Sequence, residues 1–337
     1  MPKRSLVTGG AGFMGSHTVD SLLALGHEVV ALDDLSGGDR SNVPKGATFV
    51  EASVTDHELL AELFAQHRFD YVFHLAAYAA EGLSHFIRRF NYTNNVVGSV
   101  NLINESIKHE VKCFVFTSSI AVYGELPPPM TEDMVPQPED PYGVAKLAVE
   151  HDLRAAKKFF GLDYVIFRPH NVYGSRQNLG DRYRNVAGIF MNQLMRGEPC
   201  TIFGDGTQTR AFTHVSDVAP AIARSVETPA ALCQVINVGS DTPVTVNELA
   251  DLVREAMGVG GKSVHVEARK EVAHAFCDHR KFSRVFGERR DPVGLREGLR
   301  EMATWAKAKG PQSPSVFGEI EVDKGLPPIW AKASRKR

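Results

Sequence analysis

Apolar and polar positions alternate along the first half of the chain in blocks of two kinds. Residues 4–8 (RSLVT), centred on Leu6 and Val7, read as a short buried strand. Glycines follow, and then Val19, Leu22, Leu23 and Leu25 recur at helical spacing until Gly26 stops the pattern. Residues 27–33 (HEVVALD) are the next strand. Similar runs lie at 70–75 (DYVFHL), 112–117 (KCFVFT) and 163–168 (DYVIFR), with helical patterns between them at about 57–67, 87–108 and 142–160. Strands separated by helices imply right-handed βαβ units and a doubly wound parallel sheet of the α/β class.

After residue 170 the rhythm changes. Asn178 to Arg184 is polar and loop-like, and a helix is predicted at 185–196. Short strands at about 199–203, 209–214 and 234–238 alternate with helices. Thr245 and Glu248 have capping-box spacing and open a helix to about 257. Leu295, Leu299, Met302 and Trp305 mark another at 294–308. The organisation expected is a dinucleotide-binding domain over 1–170, with some later segments returning to it, and a smaller α/β substrate-binding lobe over 171–309. Residues 310–337, carrying Pro311, Pro314, Pro327 and Pro328, read as an irregular extension.

At 337 residues the chain exceeds what one hydrophobic core supports, in keeping with two lobes. Its net charge of −2 argues against a nucleic-acid partner, and the basic residues gathered at Lys332, Arg335, Lys336 and Arg337 read as a solvated end. No apolar run approaches the ~20 residues that span a bilayer, so no membrane association is expected. The basic start, Met1-Pro2-Lys3-Arg4, leads into Gly9, Gly10 and Gly12 rather than the apolar stretch of a signal peptide. Cys113, Cys200, Cys233 and Cys277 are widely spaced, which gives neither a zinc motif nor a disulfide framework. No metal is expected, and a reducing cytoplasm is the simplest location.

Candidate chemistry begins where the first strand ends. Thr8-Gly9-Gly10-Ala11-Gly12-Phe13-Met14-Gly15 joins a strand to a helix. Its first glycine permits a tight turn, Gly12 lets the backbone approach a pyrophosphate, and Gly15 allows close helix packing, with the helix N-terminus facing the phosphates. An acidic residue ~20 positions on should bind the adenine ribose, and Asp33 ends the second strand there. A carboxylate accepts hydrogen bonds from two ribose hydroxyls and repels a 2′-phosphate, and Asp34 adds to that repulsion. NAD is therefore favoured over NADP, with Arg40 the nearest opposing charge.

Tyr142 and Lys146 share one helical face at i, i+4. Ionising a tyrosine at pH 7 requires a shift of about three units, roughly 4 kcal/mol, which a neighbouring ammonium and a positive nicotinamide ring are suited to supply. Ser119 follows the strand 112–117 at a crevice-facing end and is placed to hydrogen-bond a reacting hydroxyl.

Together, TGGAGFMG, HLAA at 74–77, TSSIAVYG at 117–124 and PYGVAK at 141–146 resemble the extended short-chain dehydrogenase/reductase family, in its nucleotide-sugar epimerase and dehydratase branch. The resemblance implies a Rossmann-type sheet, bound NAD and a nucleotide-diphosphate sugar as substrate. It makes Tyr142 the general base and acid, Lys146 the group that lowers its pKa and holds the nicotinamide ribose, and Ser119 the third member. It also implies cofactor contacts at Phe13, Met14, Leu75, Ala76, Ala77 and Asn95. RPHNVYG at 168–174 and FGDGTQTR at 203–210 resemble the diphosphate-binding segments. Asn171 and Arg210 would then hold the diphosphate, with Arg269 a second arginine; an arginine's fork of donors fits phosphate geometry. A homodimer through the helices at 87–108 and 142–160 is implied as well.

Oxidation at C4 of the sugar is the step this branch shares. Dehydratases in it place an acidic pair directly after the strand's Ser/Thr, whereas this chain has Ile120 and Ala121. The expected outcome is therefore 4-epimerisation through a 4-keto sugar. Glu81 leaves alternatives open: a ligand for a sugar hydroxyl, the extra acid/base of a dehydratase, or a structural partner of Arg88 or Arg89. His170 either faces the sugar or is packed. Ala275 stands where relatives limit the C2 substituent, so an N-acetylamino sugar is expected to fit. A catalytically silent NAD-binding regulator is the contrasting possibility.

Overall fold

The computed structural model describes residues 2–269, 271–287 and 292–334, with side chains to Ala331. The side chain of Lys332 and residues Arg335, Lys336 and Arg337 lie outside the described residues. The main sheet takes β1 (Arg4–Thr8), β2 (Glu28–Asp33), β3 (Thr48–Glu51), β4 (Tyr71–His74), β5 (Cys113–Thr117) and β6 (Asp163–Pro169). A seventh strand, Gln234–Val238, pairs with β6, giving the order 234–238, β6, β5, β4, β1, β2, β3, all parallel.

Successive residues of a strand face opposite sides, and the core shows it pair by pair. Leu6, Leu32, Val72, Phe114 and Ile166 pack beneath α2 (His57–His67) and the helices Gly98–Lys108 and Pro141–Phe160. Their neighbours Val7, Ala31, Phe73, Val115 and Phe167 pack beneath α1 (Phe13–Ala24) and Ala219–Arg224. Gln234–Val238 belongs to this sheet and not to the lobe's short strands, because Ile236 and Val238 complete the second cluster. The sequence pattern gave no sign of β3, a four-residue edge strand with no fully buried side chain.

The expected helix at 87–108 is interrupted. Arg88–Tyr92 runs into a π-helical turn, Thr93–Val97, before Gly98–Lys108 resumes. Such turns break the regular register and often accompany functional sites. A smaller lobe packs Tyr173, Phe190, Met191, Leu249, Val253, Leu299 and Met302 between the helices Val186–Met195, Val246–Met257 and Leu295–Lys309. Thr245 and Glu248 make the capping box. The extension, expected to be irregular throughout, contains a helix over Pro328–Ser334. Its Trp330 is buried among Leu83, Ile87 and Tyr183.

Candidate active site

The order of the sheet reverses between β1 and β4, and the crevice at their C-terminal ends is where a doubly wound sheet binds its ligand. Gly9 turns there with φ 71°, a conformation L side chains rarely adopt. A Cβ on Gly9 would lie 2.8 Å from the Ala76 amide, and one on Gly15 only 1.9 Å from the Gly9 carbonyl. Gly15 thus admits the loop's own carbonyl, where close packing on the sheet was expected. Gly12 is the N-cap of α1, and no acidic residue occupies the helix's first turn. The N–H groups and dipole of this end remain suited to phosphate.

Asp33 is buried and accepts the amides of Ala11 (3.0 Å) and Leu35 (2.8 Å). Burial raises its pKa, and these hydrogen bonds oppose the rise. Asp34 is exposed and holds Ser36, while Arg40 stacks over Phe49 at 3.8 Å. Close backbone turns, a free helix end and a carboxylate at the second strand fit a dinucleotide.

Leu75 and Ala76 are tied to β1 through the carbonyl and hydroxyl of Thr8. A chain the sequence reading did not find lies behind them: Thr8 Oγ1 meets His74 Nδ1 (2.7 Å), His74 Nε2 meets Ser99 (2.8 Å), and Ser99 donates to the Asn95 carbonyl. Burial lowers the His74 pKa to about 3, so the ring is neutral. Asn95 sits in the π turn. Its side chain accepts the Tyr78 amide (3.0 Å) and donates to Asn91, which in turn holds the Pro141 carbonyl. Asn95 therefore couples the end of β4 to the start of the Tyr142 helix.

That helix is capped by Asp140, whose carboxylate accepts the Gly143 amide at 2.9 Å. Tyr142 and Lys146 are both buried, one turn apart. The Lys146 ammonium donates to the Thr117 carbonyl at 2.8 Å and lies 5.7 Å from the Tyr142 ring centre. Burial pulls the Lys146 pKa down to about 7, with the Glu150 carboxylate working against it. Tyr142 is pushed upward, chiefly by burial and then by Glu81; a hydrogen bond with Ser119 acts the other way.

Glu150, a further turn along, accepts Ser118 at 2.6 Å and the fork of Arg168 at 2.9 and 2.6 Å. This buried pair fixes the ends of β5 and β6.

The residues expected to meet substrate come from distant segments. Asn171, with φ 42°, donates to the Ala211 carbonyl. Arg210 is held by the carbonyls of Thr209, Val272 and Ala273, and Arg269 lies 4.6 Å over the Phe203 ring. Glu271 pairs with Arg269 at 3.0 Å and with Arg210 at 3.7 Å. Ala275 lies beside Arg210 in register and packs with Ile120 and Met130.

Glu81 begins the turn Glu81–Ser84, whose Ser84 donates to the Glu81 carbonyl (2.6 Å) and accepts the Tyr142 amide (3.3 Å). Surrounding protein and Asp140 raise the Glu81 pKa, against Arg210 and Arg269. Its surface nevertheless opens to the cleft's water, which screens the shift. Arg89 pairs with Glu319 and Glu321, and Arg88 lies over Tyr92, so neither is the partner of Glu81. His170 is packed: it stacks on His279 at 5.1 Å and fills the space beside Gly239.

Two further residues escaped the sequence reading. Arg184 pairs with Asp181 at 2.5 Å and covers the Tyr78 ring at 4.7 Å, with a Cβ on Gly37 falling 3.1 Å from it. It borders a cavity of about 620 Å³ lined by Ser36, Tyr78, Phe90, Asn178 and Phe317. The other is Trp330.

Comparison with known proteins places the chain in a family. The profile of the NAD dependent epimerase/dehydratase family matches residues 5–239. The UDP-glucose 4-epimerase of Mycolicibacterium smegmatis is 36% identical, covering 91% of this chain and 99% of its own length. The crystal structure of a Thermotoga maritima UDP-glucose 4-epimerase with UDP-glucose superposes with a TM-score of 0.85 at 37% identity, covering 91% of this chain and 99% of that one. A Thermus thermophilus UDP-glucose 4-epimerase complex with NAD gives 0.83 at 33% identity, covering 90% and 98%. The chain belongs to the NAD dependent epimerase/dehydratase family.

Proposed function

We propose that this protein is an NAD-dependent isomerase that inverts C4 of a nucleotide-diphosphate sugar, a UDP-hexose, UDP-N-acetylhexosamine or UDP-uronate. The observation that carries the proposal is the convergence of Ser119, Tyr142 and Lys146 beside a strand end where Ile120 and Ala121 offer no proton donor. NAD, when bound, would supply the hydride acceptor and donor for C4. Tyr142 removes the proton of the C4 hydroxyl and restores it, Ser119 holds that hydroxyl, and Lys146 favours the tyrosinate. Gly9, Gly12, Phe13, Met14, Gly15 and Asp33 hold the cofactor, with Leu75, Ala76 and Ala77 at its other edge. Asn171, Arg210 and Arg269 hold the diphosphate, and Glu271 pairs with the two arginines.

The 4-keto sugar would then turn over in the site, presenting its opposite face to the reduced cofactor. Turnover of a nucleotide-sugar panel in deuterated water tests this. Inversion at C4 without deuterium at C5 or C3 is the expected result, and no inversion of any substrate defeats the proposal. A second reading, dehydration, is favoured only by Glu81 beside Tyr142. Deuterium at C5 with loss of water by mass would establish it.

We also propose a homodimer. Val97 and Val144, 49% and 40% exposed, lie on the two helical segments expected to pair. Light scattering at twice the chain mass, falling to one in Val144→Lys, is the expected outcome. The free thiols suit a reducing cytoplasm.

A further inference from the structure

The extension lies against the site although no motif marks it. Ser315 donates its amide to the Gly180 carbonyl at 2.7 Å, and the Phe317 ring packs on Phe90 and Tyr78 at 4.9 and 5.2 Å. The Glu321 carboxylate accepts the amides of Arg89 and Phe90 at 2.7 and 2.8 Å, closing the start of the helix Arg88–Tyr92. Arg182 holds the Ile329 carbonyl at 2.8 Å. These anchors seat Trp330, 3% exposed, edge-on against Tyr183, Phe203 and Phe86.

Two of the contacts Trp330 makes lead directly to substrate-facing groups. Phe203 carries the Arg269 guanidinium on its ring. A Cβ on Gly82 would come 3.3 Å from the Trp330 ring and 3.7 Å from Arg269, so the backbone after Glu81 is clasped between them. The turn Glu81–Ser84 is four residues long, too short to hold itself, and depends on such packing. Relatives matched over 98–99% of their own length cover 90–91% of this chain, so about a tenth of it, the size of this extension, has no counterpart in them.

We infer that the extension is the outer wall of the nucleotide-sugar site. Trp330 is a positioning residue that sets Arg269 and Glu81 through Phe203 and Gly82. The inference rests on the proposed UDP-sugar reading. Trp330→Ala should raise KM for UDP-glucose by about 10–100-fold, the scale of an ångström's misplacement, with kcat within about threefold and NAD content unchanged. Trp330→Phe should restore most of the affinity. Unchanged KM, or loss of kcat and NAD together, would overturn the inference in favour of a structural role.

A second measurement is independent of turnover. Trp305→Phe leaves Trp330 the only tryptophan, and titration with UDP should shift its emission saturably. An unaltered emission at saturating UDP would also overturn the inference. If wild type converted no UDP-sugar yet UDP still shifted Trp330, the isomerase reading would fail while the wall stood.

Discussion

On the proposed cofactor side, one strand–loop–helix unit and the end of the next strand supply Gly9, Gly12, Gly15 and Asp33. On the proposed substrate side, Glu81, Asn171, Arg210, Arg269 and Trp330 arrive from five separate segments. The first works through backbone: amides, a helix end and contacts that leave no room for a methyl group. The second works through long side chains braced by borrowed partners, as Glu271 braces two arginines. Local backbone geometry gives an all-or-none cradle, whereas assembled side chains give a site whose affinity is graded and adjustable. Tyr142 stands where the two meet.

Changes on each side should expose the contrast. The largest effect is expected at the joint. Tyr142→Phe should lower kcat by about 10²–10⁴-fold while the purified protein retains NAD; activity near wild type would remove the tyrosine from its role. Next, Gly15→Ala must force the loop apart, because its Cβ would lie 1.9 Å from the Gly9 carbonyl. A loss of about 1–3 kcal/mol in denaturant stability and of copurifying NAD is expected, and retention of both would show the cradle to be adjustable after all.

Arg210→Ala should do less and on one side only. UDP affinity, measured by calorimetry, should fall about 10–100-fold, as for the loss of a charged hydrogen bond, with NAD undisturbed. Equal loss of NAD would erase the division between the two sides.

The last test is a pH dependence of stability. Burial holds the Lys146 amine at about 7, below its usual ~10.4. Between those values the unfolded chain binds more protons than the folded one, so this group makes stability rise with pH. Below pH 7 both states are protonated and its buried charge lowers stability to a constant extent. Lys146→Met should flatten the rise in thermal melts of NAD-free protein from pH 7 to 10; an unchanged slope would assign it to other groups.

Much of the sheet and the cofactor side was legible because strands buried on both faces are written as apolar runs, and the turn between them needs glycine. β3 was not legible, since an edge strand with half-exposed side chains carries no apolar run. Nor was the break at Thr93–Val97, where Asn95 accepts the Tyr78 amide beyond β4 and donates to Asn91, which holds the Pro141 carbonyl at the start of the Tyr142 helix; helical spacing does not reveal these partners. At Glu81 the sequence left sugar, acid/base chemistry and Arg88 or Arg89 open. The fold decided against both arginines by giving Arg89 to the extension and Arg88 to Tyr92.

By itself, then, the sequence determined what depends on neighbours along the chain: the parallel sheet, the dinucleotide turn, the Tyr142–Lys146 face and the class of chemistry. Only the tertiary structure decided what depends on partners far along the chain. It packed His170 against His279, brought Arg269 onto Phe203, and placed Trp330 behind them both. The physical reason is that hydrogen bonding and periodicity act over a few residues and leave a local trace. Contacts across hundreds of residues are selected by shape and burial, which no short window of sequence records.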